Sequence, residues 1–192
     1  MSETDPGLFS VESDFEALLD PIDEAQLWLS ESALTDAMPK AFALMAQVTD
    51  LESHCLPLLK GLEKHAKALA EYLSLQSQKI DLVLQQQLAQ DPNAHYRARG
   101  LRFGGSGVTL QVDRPLAVGQ ALALRLFLPH AQVAVFAHGE VSQVSANDQG
   151  QQIEVAFTAI RESDQDRLVR ASLQIQQRLL RERAERRRAG EL

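Results

Sequence analysis

The chain has 192 residues, of which 45% are hydrophobic and 23% are charged, and it carries a formal net charge of -7. This composition is typical of a soluble globular protein, and the negative charge argues against direct nucleic-acid binding. No run approaches the roughly 18 consecutive apolar residues of a membrane span, so we expect no membrane span and a cytoplasmic location.

The first 92 residues are predicted to form a tail followed by helices. Residues 1–14 are acidic and poor in apolar side chains, which predicts a disordered tail. Residues 15–92 are predicted to be helical, because apolar side chains such as Met38, Phe42 and Met45 recur at spacings of three and four. The sequence therefore predicts that this part of the chain lies outside any sheet.

The longest helical pattern covers residues 58–89 and would extend about 50 Å, which is longer than a small barrel can cover. Its residues fit a coiled-coil seam in which every a and d position except Gln76 is apolar. The seam consists of Leu59, Leu62, Ala66, Leu69, Leu73, Gln76, Ile80 and Val83. Gln76 would need a partner across the interface and so would set the register. The pattern thus predicts a homo-oligomer with an undefined number of subunits.

A second interpretation of the 58–89 helix remains open. Tyr72, Leu84 and Leu88 widen its apolar stripe, as in an amphipathic helix that packs within its own chain. The sequence alone does not decide whether this helix packs within one chain or between chains.

Residues 93–160 contain nearly all of the strand-type pattern. Apolar and polar side chains alternate over 108–112, and in the run 121–128 the leucines share one face while Arg125 lies on the other. A change of phase in a later run predicts a bulge near Gly139. Short antiparallel strands at this spacing are typical of a barrel, because an open sheet would expose two edges. We therefore predict an α+β fold, with a small antiparallel β-barrel between long N-terminal helices and a long C-terminal helix.

Residues 161–192 are predicted to form that C-terminal helix and a basic tail. Ser163 and Asp166 have the spacing of a capping box, with aspartate in the place of glutamate. Leu168 and Ile175 keep helical spacing within it. The helix is longer than packing against a barrel requires, so its charged end is predicted to be solvated.

Several short segments of the strand region share their order with a known family. They are GVTL at 107–110, PL at 115–116, ALALRLFLP at 121–129, GEV at 139–141 and VAF at 155–157. Together they resemble the PilZ domain over roughly residues 97–180. PilZ proteins are bacterial receptors or adaptors in cyclic di-GMP signalling. The resemblance therefore implies a role in that signalling, with cyclic di-GMP as the ligand to test and a signalling protein as the partner.

The resemblance also implies where a nucleotide would bind. The family's site combines an R-x-x-x-R segment ahead of the barrel with a [D/N]-x-S-x-x-G turn. Arginine is well suited to binding a nucleotide, because its planar guanidinium donates two parallel hydrogen bonds and stacks on a base. In this chain the corresponding segment contains Arg97, Arg99 and Arg102, which do not have the family's spacing.

The turn departs from the family pattern as well. Gly107 matches its final glycine, but Arg102 stands where the acid or asparagine belongs and Gly104 where the serine belongs. Ser106 would replace the missing serine only if the loop were shifted by two positions. The sequence thus predicts a degenerate site, with the three arginines, Gly104, Ser106 and Gly107 as its candidate residues.

No pattern in the sequence indicates catalysis. The run GGSG at 104–107 is followed by valine rather than by the glycine of a nucleophile elbow, and the five histidines lack metal-binding spacing. We therefore expect no enzyme, no cofactor and no metal. Two functions remain. One is a self-associating adaptor or scaffold in cyclic di-GMP-linked signalling with a degenerate site. The other is a true cyclic di-GMP receptor that uses the three arginines in a modified geometry.

Overall fold

The protein is built around six β-strands, seen in a computed structural model that describes residues 10–60, 94–128, 133–147 and 150–188 and twelve helical residues between positions 68 and 86. The strands are β1 (Val11–Pro21), β2 (Tyr96–Phe103), β3 (Gly107–Val112), β4 (Ala121–Leu128), β5 (Val133–Asn147) and β6 (Gly150–Ile160). All neighbouring strands are antiparallel, and they form a closed barrel in the order β1-β2-β3-β6-β5-β4.

Beside the barrel, the helices whose bounds are described are α1 (Glu31–Ala37), α2 (Lys40–Lys60) and α3 (Glu162–Arg188). A short 3-10 turn at Glu24–Gln26 precedes α1, whose N-terminus is capped by the Ser30 hydroxyl accepting from the Ala33 amide. The predicted α+β fold, with an antiparallel barrel and a long C-terminal helix, is confirmed. Within the described parts of the chain, no helix combines the length and apolarity needed to cross a membrane.

The N-terminal strand is the main correction to the sequence-based expectation. The prediction of a tail to residue 14 followed directly by helices was wrong for residues 11–21, which form β1; residues 1–9 lie outside the described parts. This strand closes the barrel by pairing with both β2 and β4. Its side chains alternate, with Val11, Phe15, Ala17 and Leu19 buried and Glu12, Asp14 and Glu16 exposed.

The barrel interior is filled mainly by leucine and valine side chains. Leu122, Leu124 and Leu126 of β4 are fully buried there, beside Leu110 and Val135 of neighbouring strands. Burying a side chain of this kind contributes about 1.5–3 kcal/mol relative to leaving it exposed. The leucine face predicted from the sequence is therefore the face that forms this core.

A second core lies between the barrel and the N-terminal helices. The outward face of β4 places Phe127 against Phe42 of α2, with ring centroids 5.4 Å apart. Leu34 of α1 joins the same cluster. Because helices cover its outer face, β4 is buried on both sides, and even Arg125 is only 7% exposed.

The predicted bulge near Gly139 is confirmed. The register between β5 and β6 shifts at His138/Gly139 and again at Val141/Gln143. A Cβ atom on Gly139 would lie 2.6 Å from the carbonyl oxygen of Ala156, so only glycine fits where the two backbones approach this closely.

Candidate functional site

Strand β2 carries the three candidate arginines on the outside of the barrel. Arg97 and Arg99 are exposed and alternate with the buried Ala98 and Gly100. The register with β3 then shifts, because Gly100 pairs with Leu110 whereas Arg102 pairs with Thr109. This one-residue bulge reverses the phase of the strand, so Arg102 is exposed as well. The structure therefore brings the three arginines onto one face despite their uneven spacing.

Acidic side chains of β1 face these arginines. The Arg99 guanidinium donates from Nε to Oδ1 of Asp14 at 2.8 Å and from Nη2 to Oδ2 at 3.1 Å. These hydrogen bonds, together with the charge of Asp14, raise the pKa of Arg99 above its usual value. In the strand register Glu16 lies opposite Arg99, and Glu12 lies opposite Arg102. The arginine face is thus balanced by carboxylates of its own chain.

Arg102 is held by a neutral group of the same N-terminal segment. Its Nη2 donates to the Ser10 hydroxyl at 2.8 Å. In the family pattern an acid or asparagine stands at this position, and either side chain carries an oxygen that accepts hydrogen bonds. Arg102 can only donate, so the side-chain acceptor is absent from this position.

Two open grooves run along this face. One has a volume of about 580 Å³ and is lined on its charged sides by Glu12, Asp14, Arg99 and Arg102. The other, of about 700 Å³, includes Arg97 together with Glu16 and Asp113. Small-molecule pockets usually fall within about 300–1,000 Å³, so either groove has room for a ligand. Their linings mix both signs of charge, which weakens attraction for an anion.

The β2–β3 loop, which holds the other candidate residues, packs against α3. The side chain of Gln165 donates to the Gly105 carbonyl at 3.0 Å, and the Ser106 carbonyl accepts from the Phe157 amide at 2.9 Å. A Cβ atom on Gly107 would collide with the Val155 carbonyl oxygen, which gives this glycine a packing role. Gly104 is buried, and its amide donates to the Gly107 carbonyl.

The loop and the arginines are not brought into one groove. Among the described residues, those lining the two grooves on the arginine face do not include Gly104, Ser106 or Gly107. The Ser106 side chain is exposed. The six candidate residues therefore occupy two neighbouring regions, one basic strand and one loop anchored on a helix.

Comparison with solved structures identifies the fold of the barrel. Over 90% of this chain and 90% of the other, the structure superimposes on a pathogenic protein from Xanthomonas campestris with a TM-score of 0.52 and 16% sequence identity. That protein is described as a new tetrameric PilZ domain self-assembled via an unusual helical bundle. The barrel has the PilZ fold.

A second structure, the Bacillus subtilis inhibitor of motility MotI/DgrA, shares 15% identity over 43% of this chain and 42% of its own, with a TM-score of 0.40. No protein-family model matches the sequence, and neither does any curated protein. The match to the Xanthomonas campestris protein confirms, at the level of the fold, the PilZ resemblance predicted from the strand segments.

In this PilZ barrel, the acidic partners of the arginines were missed by sequence reasoning. Asp14 was placed in a disordered tail and Glu16 at the start of a helical region, so neither was considered beside Arg99. The signal was present, because Phe15, Ala17 and Leu19 alternate with polar residues at the period of a strand. Proximity between β1 and β2 could not be read from the sequence, since 77 residues or more separate the paired positions.

A second polar cluster joins the PilZ barrel to its helices, and the sequence did not indicate it. Arg161, at the end of β6, pairs with Asp164 through Nε–Oδ2 at 2.8 Å and Nη2–Oδ1 at 2.9 Å. Arg167 contacts the same aspartate, and both arginines also reach Asp50 of α2. α2 is therefore fixed to the start of α3 by four charged side chains.

Three of the described residues of the predicted seam are exposed within a single chain. Leu69 is 53% exposed, Leu73 45% and Val83 60%, whereas Gln76 is partly buried. Leu59 lies within α2, and its side chain is outside the described parts, as are Leu62, Ala66 and Ile80. At the described seam positions, this surface is not covered by the PilZ barrel of the same chain.

Proposed function

We propose that this protein is a non-enzymatic adaptor or scaffold in cyclic di-GMP-linked signalling, with a degenerate nucleotide site and a helical segment through which copies associate. The observation that carries this proposal is the bidentate contact between Asp14 and Arg99. The Arg99 guanidinium already has a carboxylate as its bidentate partner, which a ligand phosphate would have to displace. Its partner in the pathway would be another protein.

A cyclic dinucleotide would meet three obstacles on this face. It would have to displace Asp14 from Arg99, approach a surface that also carries Glu12 and Glu16, and bind without the acid and serine of the family's turn. A lost hydrogen bond to a charged group costs about 1.5–3 kcal/mol, so two losses weaken binding by roughly 100-fold or more. These obstacles support the adaptor over the receptor.

Isothermal titration calorimetry with cyclic di-GMP tests the site. We expect the wild-type protein to bind with a dissociation constant near the millimolar range or to give no measurable heat. GTP serves as the control ligand for nonspecific attraction to arginines. The three arginines on one face favour the receptor as the second candidate, and the titration distinguishes the two functions.

The receptor would be supported by a specific pattern of variants. It requires a dissociation constant near or below about 1 μM that weakens when Arg97, Arg99 or Arg102 is replaced by alanine. Arg170→Ala is the matched control, because Arg170 is an exposed arginine of α3 that also pairs with an aspartate, Asp166, at 3.5 Å. Tight binding that is lost in the first variants and retained in Arg170→Ala would reject the adaptor.

Self-association is supported by the exposed seam. Large apolar side chains, including Leu69, Leu73 and Val83, would remain in water if the protein were a monomer. The Xanthomonas campestris protein, which is described as tetrameric and self-assembled via a helical bundle, has the same fold over 90% of its length. The helical segment is therefore the surface through which we propose that copies associate.

The double variant Leu69→Asp/Leu73→Asp tests this interface. Both residues are about half exposed in the single chain, so the charges should be tolerated by the fold but rejected by an apolar seam. We expect the wild type to be an oligomer in analytical ultracentrifugation and the variant to be a monomer. A monomeric wild type, or a variant with the mass of the wild type, would contradict the proposal.

A further inference from the structure

A third cleft opens at the start of β2, at the opposite end of this strand from the β2–β3 loop. It has a volume of about 240 Å³, and its polar lining consists of His95, Tyr96, Arg97, Asp113 and Arg114. Small-molecule pockets usually fall within about 300–1,000 Å³, so this cleft suits one small group rather than a dinucleotide. We call it the His95 cleft.

The ends of two paired strands build the His95 cleft. His95 directly precedes β2, and Asp113 and Arg114 directly follow β3. The two strands are antiparallel, with Val112 at the end of β3 opposite Ala98 near the start of β2. Residues that are distant in the sequence are therefore held side by side by the sheet.

The imidazole of His95 is oriented by Asp20 of β1. Oδ1 of Asp20 lies 3.0 Å from both the backbone nitrogen and the Nδ1 atom of His95. An ionised carboxylate can only accept, so Nδ1 donates, and Nε2 is the ring nitrogen left for a ligand. The other oxygen of Asp20 accepts from Nη2 of the buried Arg125 at 2.6 Å. Asp20 is thus a positioning residue for the ring of His95.

Positive charge is in excess in the His95 cleft. Its two arginines, Arg97 and Arg114, face the single carboxylate of Asp113, even when His95 is counted as neutral. The cleft adjoins the larger of the two grooves described above and shares Arg97 and Asp113 with it. Each of those grooves, however, is lined by at least as many carboxylates as arginines. An anion on this side of the barrel is therefore attracted most strongly to the His95 cleft.

We propose that the His95 cleft binds a phosphate monoester group. Such a group carries a charge of about −1.5 to −2 near neutral pH and three acceptor oxygens, which suit the guanidinium groups of Arg97 and Arg114. Its singly protonated form also has a hydroxyl. Nε2 of His95 can accept from that hydroxyl, or donate to a phosphate oxygen when the ring is protonated.

This site differs from the degenerate nucleotide site in its ligand and in its place on the barrel. A phosphodiester such as cyclic di-GMP lacks the second charge and the terminal oxygens of a monoester, and a dinucleotide is larger than the cleft. The His95 cleft also includes neither Arg99 nor Arg102. The inference therefore does not rest on the proposed adaptor function, and its failure would leave that function unaffected.

The substitution Arg114→Ala tests the site. Inorganic phosphate is titrated into the full chain by calorimetry, in a phosphate-free buffer of low ionic strength near neutral pH. We expect saturable binding to the wild type and binding that is weaker by about 10-fold or more in Arg114→Ala, because a charge-assisted hydrogen bond is lost. Arg114 is exposed, so the fold should tolerate the change, and circular dichroism checks that it does.

Arg102→Ala is the matched control for Arg114→Ala. Arg102 is an exposed arginine of β2 that lines a different groove, and its replacement changes the net charge by the same amount. We expect this variant to bind phosphate as the wild type does. A wild type without saturable binding, or equal weakening in the two variants, would overturn the inference.

His95→Asn tests the part played by the imidazole. The asparagine amide can still donate to Asp20 in the place of Nδ1, but it has no counterpart of Nε2. We expect phosphate binding to weaken by about 5-fold, while the midpoint of urea denaturation stays at the wild-type value. Wild-type affinity in His95→Asn would overturn the assignment of the ligand to this cleft.

The phosphate group can belong to a small molecule or to a phosphorylated side chain of a protein. Glycerol phosphate represents the first source, and a short peptide with a phosphoserine represents the second. Tighter binding of the phosphopeptide than of the two small ligands would support a protein source, and equal binding of all three would support a small molecule. Binding of the unphosphorylated peptide as tight as that of the phosphopeptide would overturn the proposal. GTP ends in a similar phosphate group, so any heat that it produces should also depend on Arg114.

Discussion

Two arginine–aspartate pairs in this protein have the same geometry and different surroundings. Arg99 and Asp14 pair on the outside of the barrel, with side chains 63% and 65% exposed. Arg161 and Asp164 pair at the junction of β6 and α3, with side chains 9% and 2% exposed. Both pairs are bidentate, with N–O distances of 2.8–3.1 Å. Solvent, rather than hydrogen-bond geometry, distinguishes them.

The difference in exposure gives the two pairs different roles, one affecting anion binding and the other stabilising the fold. Exposed ion pairs contribute little to folding, because water competes for both charges and screens them. The Asp14 carboxylate therefore reduces the attraction of Arg99 for other anions without being needed by the fold. A buried pair whose partner is removed leaves a charge without compensation. The Arg161 cluster is thus structural, and it holds α2 against the start of α3.

The electrostatics of Arg161 follow from this burial. Burial alone would lower the pKa of Arg161, but the hydrogen bonds and charge of Asp164, and then those of Asp50, raise it overall. The guanidinium stays charged because carboxylates replace the water it has lost. Among the described residues, no buried side-chain nitrogen or oxygen lacks a hydrogen-bond partner.

Replacing Asp164 with alanine should have the largest effect on stability. The substitution removes two hydrogen bonds from Arg161 and one from Arg167, and it leaves the charge of Arg161 buried beside Asp50 alone. We expect the free energy of unfolding to fall by about 3–5 kcal/mol, measured by urea denaturation.

The exposed pair provides the control for that experiment. Asp14→Ala breaks a bidentate contact of the same kind but should leave the urea midpoint unchanged, because both side chains are solvated. Equal destabilisation by the two variants would show that the two pairs do not differ in the way their exposure suggests.

The barrel was largely predictable from the sequence because period-two alternation and turn residues are local signals. They predicted the leucine face of β4 and the bulge at Gly139. Strand β1 was missed because its first residues were assigned to an acidic tail and those from Phe15 onward to a helical region, although Phe15, Ala17 and Leu19 carry a strand pattern. Composition averaged over a window obscured the alternation within it.

The polar contacts could not be predicted, since they join residues that are distant in the chain. Asp14 and Arg99 are 85 positions apart, and Asp50 and Arg161 are 111 positions apart. The expected capping residue Ser163 illustrates a different limit. α3 begins at Glu162, so Ser163 lies inside the helix rather than at its N-cap, and Asp164 of the first turn bonds the neighbouring Arg161. Local patterns indicate elements, whereas the pairing of charges depends on how those elements meet.

The side chain of Asp20 is 28% exposed, which is intermediate between the exposed Arg99–Asp14 pair and the buried Arg161–Asp164 pair. It accepts hydrogen bonds from the backbone amide of His95, at 3.0 Å, and from Nη2 of the buried Arg125, at 2.6 Å. Burial raises the pKa of Asp20, but the hydrogen bonds of His95 and the charge of Arg125 outweigh this and lower it below its ordinary value of 3.8. The carboxylate is therefore the form that the fold favours.

The lowered pKa of Asp20 predicts a small dependence of stability on pH, of a definite sign. Between the folded and unfolded pKa values the unfolded chain binds more protons, so stability rises with pH there. The contribution of Asp20 is complete above the unfolded value of 3.8 and is lost as the pH falls through the lower folded value. Asp20→Asn should thus destabilise the protein near neutral pH, where it leaves Arg125 buried beside a neutral amide. The difference from the wild type should shrink below about pH 4, measured by urea denaturation at a series of pH values. A difference between the two proteins that stayed constant from about pH 7 to about pH 2.5 would show that Asp20 is not preferentially charged in the folded state.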